Sequence, residues 1–209
     1  MTELEHEYLL DFERKLDAVI GDGADVLARV RETSIQWPGD LWALRFLSQL
    51  VGRETDTIVE IGSHMGGSML WMAWCFRPRR IICIDPHAGC SGPADEVRAA
   101  FAVSAAMARE RIGCEVELLQ TTSDLAAPEL LDGSAELIYV DGWHSEDVVS
   151  VDLVTYWPKV RRGGLLAGHD YCDFHPDHKG VVRAVNHWDH EAEVVLLAPS
   201  RVFAIRKPE

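Results

Sequence analysis

The sequence lacks any extended cluster of lysine and arginine: of its 209 residues 20 are basic and 34 acidic. A formal charge of −14 leaves no basic stripe to follow a phosphate backbone, which excludes sustained binding to DNA or RNA. It equally disfavours docking on an anionic membrane surface. Long apolar runs are missing as well. The densest, Met69 to Phe76, ends at Arg77-Pro78, far short of the roughly 20 residues that span a bilayer. The acidic start, Met1 to Glu7, has no basic stretch leading into an apolar segment, so no secretory signal is expected. The 5 cysteines are odd in number and show no C-x-x-C spacing, which excludes a disulfide framework. Cys75 and Cys83 sit in apolar runs, where a thiol behaves as a small hydrophobe. A reducing, cytoplasmic setting follows. What is present is ordinary for a packed core, 47% hydrophobic and 26% charged, at a length that suits one domain. A small-molecule enzyme or a protein-binding module remains.

Apolar residues at helical spacing (Leu4, Tyr8 to Leu10, Phe12, Leu16, Val19 and Ile20) predict a helix up to Gly21-Asp22-Gly23. A short helix follows. Another, carrying Leu41, Leu44, Leu47, Leu50 and Val51, starts after Trp37-Pro38-Gly39, with Asp40 expected as its N-cap. From residue 57 the pattern changes to β-branched runs alternating with helices. Thr57–Ile61, Arg80–Ile84, Glu115–Leu119, Glu136–Val140, Gly164–Ala167, Val194–Leu197 and Val202–Ile205 read as strands. Helices are expected over about 66–76, 94–111, 123–131, 145–157 and 180–190. Almost wholly apolar strands require a parallel sheet covered on both faces, so the fold class is α/β, doubly wound and Rossmann-like. Only Ala198 to Arg201 separate the last two strands, too few for a crossover helix, so these form an antiparallel hairpin at one edge. Residues 1–55 read as an N-terminal helical cap and 56–209 as the α/β domain.

The strongest local motif is Val59-Glu60-Ile61-Gly62-Ser63-His64-Met65-Gly66-Gly67-Ser68. Glycines at a strand-to-helix turn allow positive φ and close approach of a ligand to the helix N-terminus. The spacing G-x-x-x-G departs from the dinucleotide fingerprint G-x-G-x-x-G. An acid at Glu60 suits the ammonium of an amino-acid-like ligand and would repel a pyrophosphate. Asp85, ending the second strand, is placed to accept two ribose hydroxyls. Ser123-Asp124, after the third, is placed for an adenine against backbone amides. Together these features resemble the class I S-adenosylmethionine-dependent methyltransferases over about residues 55–206. The resemblance implies that Glu60, Gly62, Ser63, Gly66 and Ser68 hold the methionine half of the cofactor, that Asp85 holds its ribose, and that His87 and Ser123 lie near the adenine.

A second pair of motifs is Asp141-Gly142-Trp143-His144 and Gly163-Gly164-Leu165-Leu166-Ala167-Gly168-His169-Asp170-Tyr171. Both end apolar strands at the edge where open α/β sheets place ligands. Asp141, His169 and Asp170 therefore converge as candidate ligands of a divalent cation. The motifs resemble the metal-dependent O-methyltransferases, catechol-type and macrocin-like, the latter more closely. That resemblance implies a cation at Asp141, His169 and Asp170, Mg²⁺ first. His169 stands where the family has a carboxylate, which admits a softer ion. Catechol-type enzymes carry a lysine base where this sequence has His144. An imidazole with an ordinary pKa near ~6.5 can remove a hydroxyl proton at neutral pH. Asp141 and His144 are the catalytic candidates, and Asp141 also lines the cofactor site.

The polar, aromatic stretch from Tyr171 to Gly180 reads as a lid that shapes an acceptor pocket together with Trp37, Trp42 and Trp143. The acceptor is expected to be a small-molecule hydroxyl compound: a sugar, a glycosylated natural product, a phenol or a catechol. A homodimer or higher homo-oligomer stays open. Two rival readings use the same residues: a non-catalytic cofactor-binding subunit and an NAD-linked reductase. His175-x-Asp177 imitates part of the ligand set of non-haem iron oxygenases, but in a loop of an α/β chain rather than a β-barrel.

Overall fold

The computed structural model describes residues 3–34, 36–51, 55–88, 92–188, 194–197 and 200–209. At its centre is a seven-stranded sheet: β1 (Thr57–Ile61), β2 (Arg80–Ile84), β3 (Glu115–Leu119), β4 (Ala135–Val140), β5 (Val160–Gly168), β6 (Val194–Leu196) and β7 (Phe203–Arg206). The spatial order is β3-β2-β1-β4-β5-β7-β6. β1 to β5 are parallel, and β7 runs antiparallel to both β5 and β6. This is the α/β arrangement expected from the alternating pattern, with its edge hairpin. The order reverses between β1 and β4, and a crevice opens beyond the carboxyl ends of strands at such a switch point.

Eight α-helices cover the sheet among the described residues: α1 (Glu3–Val19), α2 (Ala24–Thr33), α3 (Pro38–Val51), α4 (Gly67–Phe76), α5 (Ala94–Met107), α6 (Ser123–Ala126), α7 (Glu146–Tyr156) and α8 (Lys179–His187). Strand residues alternate between two cores, as the two-residue side-chain period demands. Ile58, Ile81, Leu137 and Leu165 pack with Leu16, Leu27, Leu44, Trp71 and Phe101. Val59, Ile82, Ile138 and Leu166 pack with Val149, Leu153, Val181 and Val185. The first helices thus share one core with α4 and the sheet. Fully buried Trp71 donates its indole N–H to the Leu41 carbonyl at 2.6 Å, tying α4 to α3. No helix among the described residues is long and apolar enough to cross a membrane.

Several boundaries differ from the sequence reading. The helix expected to reach Leu131 stops at Ala126 and tightens into a 3₁₀ turn over Ala127–Glu129, because Pro128 has no N–H for an i→i−4 bond. The helix from Ala94 widens into a π turn over Ala108–Ile112 before Gly113 ends it at φ +78°. Asp40 is not the N-cap of α3. It lies inside the first turn, and its carboxylate accepts a hydrogen bond from the Trp37 N–H at 2.8 Å, the reaching-back half of a capping box. Residues 189 and 190, expected to end the last helix, lie outside the described residues, as does Cys90.

Candidate functional site

The turn after β1 is built by glycine. Gly62 has φ +87°, and a Cβ there would lie 2.1 Å from the Asp141 carbonyl oxygen, so the β1 and β4 ends touch backbone to backbone. Gly66, at φ +79°, starts α4. Around this turn sit buried polar atoms without a hydrogen-bond partner: Glu60 Oε1, Ser63 Oγ, His64 Nε2 and both ring nitrogens of His87. Orphan donors and acceptors of this density are costly unless a ligand satisfies them. The residues therefore fit the polar methionine and nucleoside groups of S-adenosylmethionine.

Glu60 is fully buried beneath the start of α4. Burial pushes its carboxyl up to about 8; the Ser68 hydroxyl works against that, and the charges of Asp141 and Asp85 add to it. A bound ammonium would reverse the shift. Asp85 accepts the backbone N–H of His64 at 2.8 Å and of His87 at 2.7 Å, one on each oxygen. It clasps the loops after β1 and β2, and each oxygen keeps a lone pair for a ribose hydroxyl. His87 is buried edge-on against Phe101. Ser123 begins α6 beyond β3, where its carbonyl accepts the Tyr156 hydroxyl at 2.7 Å.

The rim beyond β4 and β5 gathers the second set. His169 is buried, with Nδ1 3.4 Å from Asp141 and 3.2 Å from Asp170, and Nε2 3.0 Å from Asp40. Neither nitrogen is aligned for a hydrogen bond. Burial opposes a charge on His169, but the surrounding carboxylates outweigh it and hold its pKa well above the ordinary value. Nδ1 faces the space between Asp141 and Asp170, and donors spaced this way suit adjacent positions around one ion. The donor set thus fits a divalent cation, with Asp40 behind Nε2 as the outer carboxylate that metal-bound histidines keep. His144 is partly buried, with Nε2 3.0 Å from Asp170 Oδ2, and that contact raises its pKa. Asp170 adopts φ +58° and is buried. Its histidine partners overcome the penalty of burial and hold it well below the usual carboxylate range.

Four residues that no motif marked complete the rim. The Gln36 amide donates to Asp141 Oδ2 and to the Tyr139 hydroxyl, both at 3.1 Å, so the segment between α2 and α3 reaches the site. Asp40 and Arg201 bind each other, and Arg201 Nη1 donates to Asp170 at 3.1 Å. His178 Nδ1 lies 3.3 Å from Asp170. At the mouth, exposed Trp37 stacks on exposed Phe174, with ring centroids 6.1 Å apart. Trp143 is exposed beside His144, whereas Trp42, expected at the pocket, instead packs against Phe12.

No curated protein matches the sequence. Solved structures do share the fold. A protein from Corynebacterium glutamicum superposes with a TM-score of 0.71 at 17% identity, covering 98% of each chain. A methyltransferase from Geobacter sulfurreducens gives 0.59 at 15% identity, over 94% of this chain and 95% of its own. An O-methyltransferase from Bacillus cereus, solved with SAH, gives 0.59 at 14% identity, over 93% and 96%. A methyltransferase-domain family model matches residues 59–171, from the middle of β1 to the residue after Asp170. The chain belongs to this family, the class I S-adenosylmethionine-dependent methyltransferases.

Proposed function

We propose that the protein is an O-methyltransferase that moves the methyl group of S-adenosylmethionine to a hydroxyl of a small molecule, with His144 as general base and a divalent cation at Asp141, His169 and Asp170. The observation that carries this reading is the His144–Asp170 pair, 3.0 Å apart, on the rim next to the Gly62 turn. The sulfonium methyl is already activated, so the chain's task is to deliver a deprotonated oxygen in line with it. Asp170 orients the His144 ring, and the free ring nitrogen takes the hydroxyl proton. Gln36 and the Gly62 contact fix Asp141 between the cofactor turn and the rim. A bound cation would lower the pKa of the acceptor hydroxyl. Mg²⁺ is the first choice by resemblance, and the imidazole of His169 also suits Mn²⁺ or Zn²⁺. Trp37, Phe174 and Trp143 offer flat apolar faces to a sugar ring or a phenol, and the macrocin-like branch favours a sugar or glycosylated natural product.

Calorimetry with S-adenosylmethionine and with NADH, followed by labelled-methyl transfer to a panel of sugars, glycosides and catechols, tests the reading. Binding of S-adenosylmethionine with transfer to a hydroxyl is expected, and Asp141→Ala should abolish transfer. Tight NADH binding without S-adenosylmethionine binding would overturn the cofactor assignment. Full activity after EDTA treatment would remove the cation from it.

A further inference from the structure

A second donor set lies beside the first and shares only Asp170 with it. His144 Nε2 is 3.0 Å from Asp170 Oδ2, and His178 Nδ1 is 3.3 Å from Asp170 Oδ1. The ligand atoms of all three residues lie within 4.8 Å of one another. A tetrahedral ion with bonds of about 2.0–2.1 Å spaces its donors about 3.3 Å apart. The His144 and His178 rings meet edge to face, centroids 5.1 Å apart, so their nitrogens converge without the rings stacking.

The backbone holds this arrangement in place. A Cβ on Gly180 would lie 2.1 Å from the His144 carbonyl oxygen, so the segment carrying His178 is pressed against the loop carrying His144. Arg201 Nη1 donates to Asp170 Oδ1 at 3.1 Å, an outer contact of the kind that orients ligating carboxylates. Cys172 Sγ, 3.1 Å from His178 Nδ1, adds a soft donor at the edge.

We propose that His144, Asp170 and His178 form a transition-metal site, distinct from the Asp141–His169 set, whose occupation silences methyl transfer: an ion on His144 Nε2 leaves the ring's one proton on Nδ1, so that nitrogen can accept no other. Two imidazoles and one carboxylate select Zn²⁺ or Co²⁺ over Mg²⁺, which prefers oxygen ligands. The binding site stands on geometry alone, and the silencing rests on His144 being the base.

The test uses the full chain, saturated with Mg²⁺ to fill the Asp141–His169 set and with S-adenosylmethionine. Co²⁺ is added and followed by visible absorption, and Zn²⁺ is followed by calorimetry, in wild type, His178→Ala and Asp141→Ala. Wild type is expected to bind one Co²⁺ with the intense bands of a low-coordinate nitrogen-ligated ion. His178→Ala should weaken binding at least about tenfold, and Asp141→Ala should leave it. Should His178→Ala lose S-adenosylmethionine binding, His178→Gln replaces it. Equal binding in the His178 variant, or loss of binding with Asp141→Ala, overturns the site. Zn²⁺ added over saturating Mg²⁺ should stop transfer in wild type and spare His178→Ala; Zn²⁺ bound to wild type without loss of rate overturns the silencing. A wild type that binds Co²⁺ but transfers no methyl group would count against the proposed reaction and leave the metal site standing.

Discussion

Arg201 and Asp40, 161 positions apart, form a multiple contact. The guanidinium donates from Nε at 3.2 Å and from Nη2 at 2.7 Å to Asp40 Oδ2, and the Arg201 backbone N–H donates to Oδ1 at 2.8 Å. Both side chains are largely buried, and the guanidinium also lies over the Trp37 ring, 4.5 Å from its centroid. The loop before β7 is thereby fastened to the first turn of α3 and, through Asp170, to the rim. Removing one partner of a buried ion pair leaves the other charge unpaired, a loss of about 3–5 kcal/mol. Arg201→Ala should lower unfolding stability by an amount of that order, read from urea denaturation, with an unchanged slope.

The same contact sets an acid limit on stability. His169 and Arg201 hold the Asp40 carboxyl at about 2 against an ordinary 3.8, in spite of burial. A depressed folded pKa gives stability that is complete above the unfolded value and fades as pH falls through the folded one. For Asp40 that window runs from about 4 down to about 2, and the shift corresponds to roughly 2 kcal/mol. The stability gap between wild type and Asp40→Asn should therefore narrow across this window. A constant gap would show that Asp40 acts through packing alone.

As the proposed base, His144 should govern the pH dependence of the reaction. Its contact with Asp170 raises its pKa above 6.5, and a base works only in its deprotonated form. kcat/KM should rise with pH through an apparent pKa above 6.5. His144→Ala should abolish that limb and lower the rate by about 10²–10⁴-fold. A wild-type profile in His144→Ala would refute the base assignment.

Much of this site can be read from sequence because strand ends announce it. Glu60, Asp85, Asp141 and the His169-Asp170 pair each follow an apolar run, and parallel strands deliver their carboxyl ends to one edge. Gln36, Asp40, Arg201 and His178 belong to no such pattern. Gln36 lies between helices, Arg201 sits in a hairpin loop, and Asp40 resembles an ordinary helix cap. The roles of Gln36, Asp40 and Arg201 depend on contacts across 105 and 161 positions, which local propensity cannot encode. The one available hint was an aspartate in the first turn of a helix whose flanking Trp-Pro-Gly already fixes its start.

Gly62 tests the joint between the cofactor turn and the rim. A side chain there meets the Asp141 carbonyl oxygen at 2.1 Å and forces a non-glycine residue to φ +87°. Neither strain can relax without separating β1 from β4 at the switch point. Gly62→Ala should cost on the order of 1–3 kcal/mol from the backbone conformation alone, and more from the clash. Calorimetry should show S-adenosylmethionine binding lost even where the variant folds.

If Glu60 holds the cofactor's ammonium as proposed, it should link cofactor binding to protons. With its carboxyl pushed up to about 8 by burial, the folded, unliganded protein keeps Glu60 protonated at pH 7, while the unfolded chain ionises near 4.5. The unfolded state then binds fewer protons between these values, so stability falls as pH climbs through that interval. Glu60→Gln removes this liability, and its stability advantage over the unliganded wild type should grow from pH 5 to pH 8. The cofactor's ammonium favours the carboxylate, so binding at pH 7 should release close to one proton from wild type and none from Glu60→Gln. Calorimetry in buffers of different ionisation enthalpy measures that release directly. The variant should also bind the cofactor at least about tenfold more weakly, the loss of one charge-assisted hydrogen bond. Equal affinity, with the same proton release, would place the ammonium elsewhere.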